Sequence, residues 1–334
     1  MPEIIIWQSL VNEGNIESVV NDGTFIYVLV DPFPALTNAF LVKINTVTRT
    51  EVGRWSIAPV GAGPTVIDAY YQDNYVYVTA ELAQNCLIKI NPATMTEVTR
   101  WNNTVDGAAL NQITGDGTDL YVLGGVPAEV FKINPATMAY VSRWTGNAIQ
   151  DLHSNSIVYA NGFVFAGTGN ITSTQDYIRK INTSNMTLAT SWVGPWGSLG
   201  PMVVDSINLY FGSPSGTLTK VDQGFATTVL TVSDPTLSYE SLAFVNGRLI
   251  SGTLIVPAGI IISISAIDTA SLTSNTIDFI TVTAGSENRG LTGLASQIFV
   301  GINAASPSQA SILQILPPPL VTVHMAYPVK RRLT

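Results

Sequence analysis

Four six-residue segments align without a gap: Leu41-Val-Lys-Ile-Asn-Thr, Leu87-Ile-Lys-Ile-Asn-Pro, Val130-Phe-Lys-Ile-Asn-Pro and Ile178-Arg-Lys-Ile-Asn-Thr. Each is followed, ten residues beyond its Asn, by a Trp: Trp55, Trp101, Trp144 and Trp192, which stand 46, 43 and 48 residues apart. Weaker copies follow at Leu218-Thr-Lys-Val-Asp and Ser265-Ala-Ile-Asp. A period of this length marks a small supersecondary unit that buries its faces only against its neighbours, which restricts the chain to repeat architectures.

A second marker sets the type of unit. A turn-like segment heads an apolar run at Asn21, Gln72, Gly115, Ala160, Asp205, Val245 and Ala295, seven times in all. Asp-Gly and Asn-Gly supply the positive φ angles of tight hairpins, and the Tyr, Phe, Val and Ile runs suit a pleated buried surface. No long helical period intervenes. The fold class predicted is all-β: a seven-bladed β-propeller of four-stranded antiparallel blades. In the second unit the strands fall near 65–71, 75–80, 86–91 and 97–101, with a tight Asn91-Pro92-Ala93-Thr94 connection in which Pro pre-sets φ.

Trp7 lies 48 residues before Trp55, so Ile4-Ile5-Ile6-Trp7 reads as an outermost strand with no blade of its own. It is expected to complete the last blade, closing the ring and removing open sheet edges. The blades then occupy about 8–55, 56–101, 102–144, 145–192, 193–232, 233–279 and 280–316 with 2–7. Residues 1–316 form the propeller, and 317–334 form a Pro-rich extended tail with a basic end.

Composition limits the partners. Of the 334 residues 46% are hydrophobic and only 11% charged, with a net charge of −8, which argues against the clustered cations of a nucleic-acid-binding body. No apolar run is long enough for a membrane helix, so no membrane insertion is expected. Met1-Pro2-Glu3 runs straight into the first strand without the basic and apolar regions of a signal peptide, which predicts use without export or export within a larger object. The single Cys86 excludes an intramolecular disulfide framework.

The tract Tyr75-Val-Tyr-Val-Thr-Ala followed by Leu87-Ile-Lys-Ile-Asn-Pro-Ala-Thr resembles the YVTN-type repeat of bacterial and archaeal seven-bladed propellers. The likeness covers most of residues 8–232 and fades in the last two units. It implies blade construction; some such families are binding or surface proteins and others are lyases, so the resemblance leaves function open.

Inner strands of a propeller line a central channel, and the loops entering them form one face. The residues expected at that mouth are Glu17, Asp68, Asn111, Gln112, His153, Asn155, Glu240 and Arg289, a polar, net acidic set suited to a cation or a small polar ligand. Structural closure of the ring asks for polar residues at the same positions. A streptogramin-lyase-like enzyme would need His153, with Asp151 or Glu240 as its acidic partner and a metal; one Cys and two scattered His make no zinc set, and no cofactor is expected. The tail carries apolar Leu320, Val321, Val323 and Tyr327 and basic Lys330, Arg331 and Arg332, a pattern suited to strand addition onto another protein chain. The function expected is a non-enzymatic interaction or structural module in a larger assembly, a virion decoration or tail-associated protein being the context named. A cell-surface propeller binding a glycan or protein and the lyase-like enzyme are the alternatives.

Overall fold

The computed structural model describes residues 4–315 apart from 9–14, 32–37, 58–64, 83, 107, 170–174, 196, 198, 227, 236, 246–247, 256–260, 268, 270–271, 273, 282–286, 295–296 and 304–309. Within these, 28 strands and no helix make seven four-stranded antiparallel sheets. The opening strand is β1 (Ile4–Gln8). The first sheet is β2 (Asn15–Asn21), β3 (Phe25–Asp31), β4 (Ala39–Asn45) and β5 (Thr50–Ile57). The second is β6 (Thr65–Gln72), β7 (Tyr75–Glu81), β8 (Cys86–Asn91) and β9 (Thr96–Asn102). The third is β10 (Leu110–Gly115), β11 (Leu120–Gly124), β12 (Glu129–Asn134) and β13 (Ala139–Thr145).

The fourth sheet holds β14 (His153–Ala160), β15 (Phe163–Gly169), β16 (Gln175–Asn182) and β17 (Thr187–Pro195). The fifth holds β18 (Met202–Val204), β19 (Asn208–Gly212), β20 (Thr217–Asp222) and β21 (Thr228–Ser233). The sixth holds β22 (Leu237–Val245), β23 (Arg248–Ile255), β24 (Ile261–Ile267) and β25 (Ser274–Thr281). The seventh joins β26 (Glu287–Leu294), β27 (Gln297–Asn303) and β28 (Ala310–Ile315) to β1. There β1 pairs antiparallel with β28, Ile4 opposite Gln314 and Gln8 opposite Ser311. The innermost strands touch in one closed series, β2, β6, β10, β14, β18, β22, β26 and back to β2. The chain is a β-propeller whose ring the N-terminal strand closes.

The core lies between sheets. One apolar cluster joins Tyr27, Leu41 and Trp55 of the first sheet to Val66, Val78 and Ile88 of the second. Another joins Leu87 and Trp101 to Leu110, Val122 and Phe131, and a third joins Val130 and Trp144 to Ile157 and Val164. Second strands such as β3 and β7 are buried on both faces, which is why they read as unbroken apolar runs, whereas outermost strands such as β5 and β13 are mainly exposed.

The Lys of the repeated motif bridges sheets. Lys43, Lys89, Lys132, Lys180 and Lys220 each donate Nζ–H to a backbone carbonyl in the following sheet's outer turn, those of Pro92, Pro135, Thr183, Gln223 and Thr269, at 2.7–3.0 Å. Lys43, Lys89 and Lys180 also lie over the rings of Phe25, Tyr75 and Phe163 at 3.9, 3.9 and 4.1 Å. A charged hydrogen bond of this kind contributes about 1.5–3 kcal/mol. The turn that receives it is built by the Asn of the motif: Asn91 Oδ1 accepts the Ala93 N–H, the Asn91 carbonyl accepts Met95 N–H, and Met95 adopts φ 53°. Its side chain is buried in the first-to-second interface, where a Cβ on Gly53 would lie 2.7 Å from Met95 Cγ, so Gly53 is required by close approach.

Candidate functional site

Six of the seven inner strands carry a β-bulge near their start. The register shifts between Ile16 and Ser18, Val66 and Asp68, Leu110 and Ile113, Ser154 and Ser156, Tyr239 and Ser241, and Asn288 and Leu291. A bulge inserts an unpaired residue and re-aims side chains. Glu17, Asn155 and Glu240 are the inserted residues of their strands, and Asn111, Gln112 and Arg289 lie inside two-residue shifts. The side chains of Asn155 and Arg289 lie outside what is described. The eight residues expected at the mouth therefore fall on the inner strands near their bulges, with Asp68 directly after one and His153 opening β14 opposite Gly169.

Several of these side chains hold neighbouring sheets together. Asp68 Oδ1 accepts from Ser18 Oγ of the first sheet at 2.8 Å and from Ala69 N–H at 2.8 Å, while Oδ2 accepts from Ile113 N–H of the third sheet at 3.1 Å. Burial raises the Asp68 carboxyl to about 6, and the hydrogen bonds from Ser18, Ile113 and Ala69 oppose that rise. Gln112 Oε1 accepts from Ile157 N–H at 3.2 Å, Asn111 Nδ2 donates to Ser154 Oγ, and Ser156 Oγ donates to the Gly200 carbonyl at 2.9 Å. Glu240 accepts from Ser238 Oγ at 2.6 Å.

Asp151, expected as an acidic partner for His153, is committed elsewhere. It is 1% exposed and receives Arg179 Nε at 2.8 Å and Nη2 at 3.1 Å, Asn147 N–H at 2.7 Å, and the Thr168 hydroxyl. A carboxylate gripped by a buried guanidinium is an anchor, fixing the connection into β14 against β16. Among the described residues no group of three His, Cys, Asp or Glu could hold a metal ion.

Sequence reasoning missed a second polar place, on the rim of the third sheet. A cavity of about 400 Å³ is lined by Asp106, Ala108 and Ala109 of the β9–β10 connection, by Gly125, Val126 and Pro127 between β11 and β12, and by Glu129 and Arg143. Gly125 has φ 80° and a Cβ there would meet the Pro127 carbonyl oxygen at 2.8 Å, so only glycine makes this turn. Glu129 is 4% exposed; its Oε1 accepts from Thr145 Oγ1 at 2.8 Å and its Oε2 from Arg143 Nη1 at 3.2 Å. The same Nη1 reaches Asp106 Oδ2. Asp106 Oδ1 also takes Asn103 Nδ2 at 2.9 Å and Ala108 N–H at 3.0 Å.

One guanidinium thus serves two adjacent carboxyl groups. Burial first, then the neighbouring Asp106, pushes Glu129 up to about 7, against the pull of Thr145 and Arg143. Burial also pulls Asp106 upward, but hydrogen bonds from Glu129, the Ala108 N–H and Asn103, with the Arg143 charge, hold it below the usual carboxylate range. Burial and the adjacent carboxylate thus favour a proton on Glu129 rather than on Asp106. The signal for this place was a departure from the repeat. The position of Glu129 is held by Phe40 and Cys86 in the first two sheets, and the position of Tyr140 by Glu51 and Glu97.

No family model matches the chain and no curated protein matches its sequence, so the likeness to YVTN-type repeats remains one of blade construction and establishes no membership. Solved structures share the fold: a chain of the mitotic checkpoint complex (TM-score 0.70, 11% identity, 92% of this chain and 90% of that one), the β-propeller domain of Myceliophteria thermophila Cps50 (Swd1) (0.68, 10%, 93% and 99%), and U3-55K (0.70, 11%, 94% and 98%).

Proposed function

We propose that the chain is a non-enzymatic propeller scaffold that binds other protein chains within an assembly. The observation that carries this reading is the use of the mouth residues as fasteners: Asp68, Asn111 and Gln112 join successive inner strands, and Asp151 is tied to Arg179 rather than to His153. A ring fastened at its inner strands and at its lysines is a rigid platform that presents loops. Supporting it, one structural neighbour is named for a protein complex, the mitotic checkpoint complex. The neighbours lend nothing to the virion context or to glycan binding, and the lyase-like reading loses Asp151 as its acid.

Within this proposal residues 1–316 are the ring, and 317–334, outside the described residues, are an arm that adds its 320–327 stretch to a partner while Lys330, Arg331 and Arg332 meet acidic surface. The test is partner capture by the full chain and by a chain ending at residue 316. Partners retained by the first and lost by the second, with His153→Ala and Glu240→Gln inert in both, is the expected result. A hydrolytic or eliminative turnover abolished by His153→Ala would overturn the scaffold reading.

A further inference from the structure

The rim cavity has a charge deficit that its own residues do not fill. Two carboxyl groups, Asp106 and Glu129, converge on one nitrogen of Arg143 at the floor, and the wall beside them is apolar: Ala108, Ala109, Pro127 and Val126. With both carboxyls ionised the floor carries one negative charge in excess, which is offset either by a proton or by a second cation. About 400 Å³ of open space adjoins the pair, inside the roughly 300–1,000 Å³ range of ligand pockets. Val126, in the cavity lining, is 75% exposed, so the rim offers apolar surface to the stem of an incoming side chain.

Two coupled departures from the repeat build the place. In the first two sheets the arginine before the Trp pairs with a Glu three residues earlier, Arg54 with Glu51 at 2.8 Å and Arg100 with Glu97 at 2.6 Å. In the third sheet Tyr140 removes that partner and Glu129 supplies another at the head of β12, so Arg143 is committed to the cavity floor. A uniform scaffold has no use for this exchange; the first two sheets show that the arginine is held without it.

We propose that this cavity binds an organic cation, specifically a primary ammonium carried on an alkyl stem as in a lysine side chain, with Asp106 and Glu129 accepting its N–H groups and Val126 and Pro127 covering the stem. A cation that enters while Glu129 is protonated displaces that proton into solvent, so binding releases a fraction of a proton near neutral pH and close to one below it. That the cation belongs to a partner protein rests on the scaffold reading; the site itself does not.

The probe is n-butylammonium, titrated onto the full chain while the amide signals of Val126 and Ala108 and the release of protons are followed, with n-butanol as the uncharged control. The expected result is saturable binding in the weak range of a single small group, around 1–10 mM, proton release per bound cation that grows as pH falls through 7 and fades above pH 8, where the pair is already ionised, and a loss of affinity of about tenfold in Asp106→Asn and in Glu129→Gln. Equal binding of butanol, or no saturable change with butylammonium, would overturn the proposal. So would full affinity in both variants, which keep the size of the native side chains. Failure of partner capture with butylammonium binding intact would instead remove the scaffold reading and leave the site.

Discussion

The second and third sheets have the same backbone plan and the same Arg-Trp pair at the end of the outermost strand, Arg100-Trp101 and Arg143-Trp144, yet they use the arginine differently. In the second, Arg100 grips Glu97 on its own strand through Nε and Nη2, at 2.7 and 2.6 Å, a partly exposed local pair. In the third, Arg143 reaches a buried glutamate on β12 and an aspartate in the preceding connection. Both Trp residues stay buried against the next sheet, so the change costs the scaffold nothing that it needs. The repeat specifies a ring, and its exceptions specify a place on the ring.

Removing the two arginines breaks the comparison most sharply. Arg143→Leu leaves the buried Glu129 and the adjacent Asp106 without a counterion and is expected to cost about 2–3 kcal/mol at pH 8, below the roughly 3–5 of a fully buried pair because Arg143 and Asp106 are partly exposed and Glu129 escapes by keeping its proton. Arg100→Leu removes a pair that solvent already screens and is expected to cost at most about 1 kcal/mol. Urea denaturation of both variants measures the difference, and equal costs would mean that the third sheet is not special.

The same pair predicts a pH dependence. Glu129 sits at about 7 in the folded chain against an ordinary 4.5, so between those values the folded state holds a proton that the unfolded state has released. Stability from this group is therefore present below about pH 4.5 and lost as pH rises through 7. Glu129→Gln removes the titration; relative to the native chain it is expected to gain about 1–2 kcal/mol on going from pH 5 to pH 8. Asp68, raised to about 6, contributes a slope of the same sign to both proteins and cancels in the difference. A difference that does not change with pH would show that Glu129 titrates normally.

How much of this was legible follows from what a repeat transmits. The Lys-Ile-Asn mark was visible because each of its copies does one job: the Lys crosses to the next sheet's carbonyl, and the Asn or Asp closes the turn that receives the preceding sheet's Lys. The closing strand was visible because Trp7 keeps the period. The inner-strand fasteners were seen only as polar residues, because Ser18, Asp68, Gln112 and Ser156 do equivalent work with different chemistry and so leave no repeated letter. That Asp151 belongs to Arg179 is a contact across 28 residues between the connection into β14 and the middle of β16, which sequence adjacency to His153 misrepresents. The rim cavity was present in the alignment as two breaks in pattern, Glu129 and Tyr140, but the value of a break depends on where the arginine goes when its partner is taken away.

A finer contrast lies in the tyrosine that the second strands of the first, second, third and fifth sheets share, Tyr27, Tyr77, Tyr121 and Tyr210. Asp116 opens the turn into β11 and its Oδ1 accepts the N–H groups of Thr118 and Asp119, both at 2.7 Å, which aims Oδ2 at the Tyr121 hydroxyl 2.8 Å away. Asp22 with Tyr27 and Asp205 with Tyr210 repeat the arrangement. The second sheet replaces it with a two-residue turn, Asp73 and Asn74 at φ 52° and 63°, which is too short to bring a carboxylate back to the strand, and the buried Tyr77 hydroxyl has no hydrogen-bond partner. Tyr121→Phe should therefore lose a charged hydrogen bond and about 1–2 kcal/mol, whereas Tyr77→Phe removes an unsatisfied buried hydroxyl and should be neutral or gain up to about 1 kcal/mol. The two substitutions delete the same atom from equivalent places in adjacent sheets, so their opposite signs in thermal or urea unfolding would isolate the turn as the cause, and a matching loss in both would show that Tyr77 is satisfied in solution.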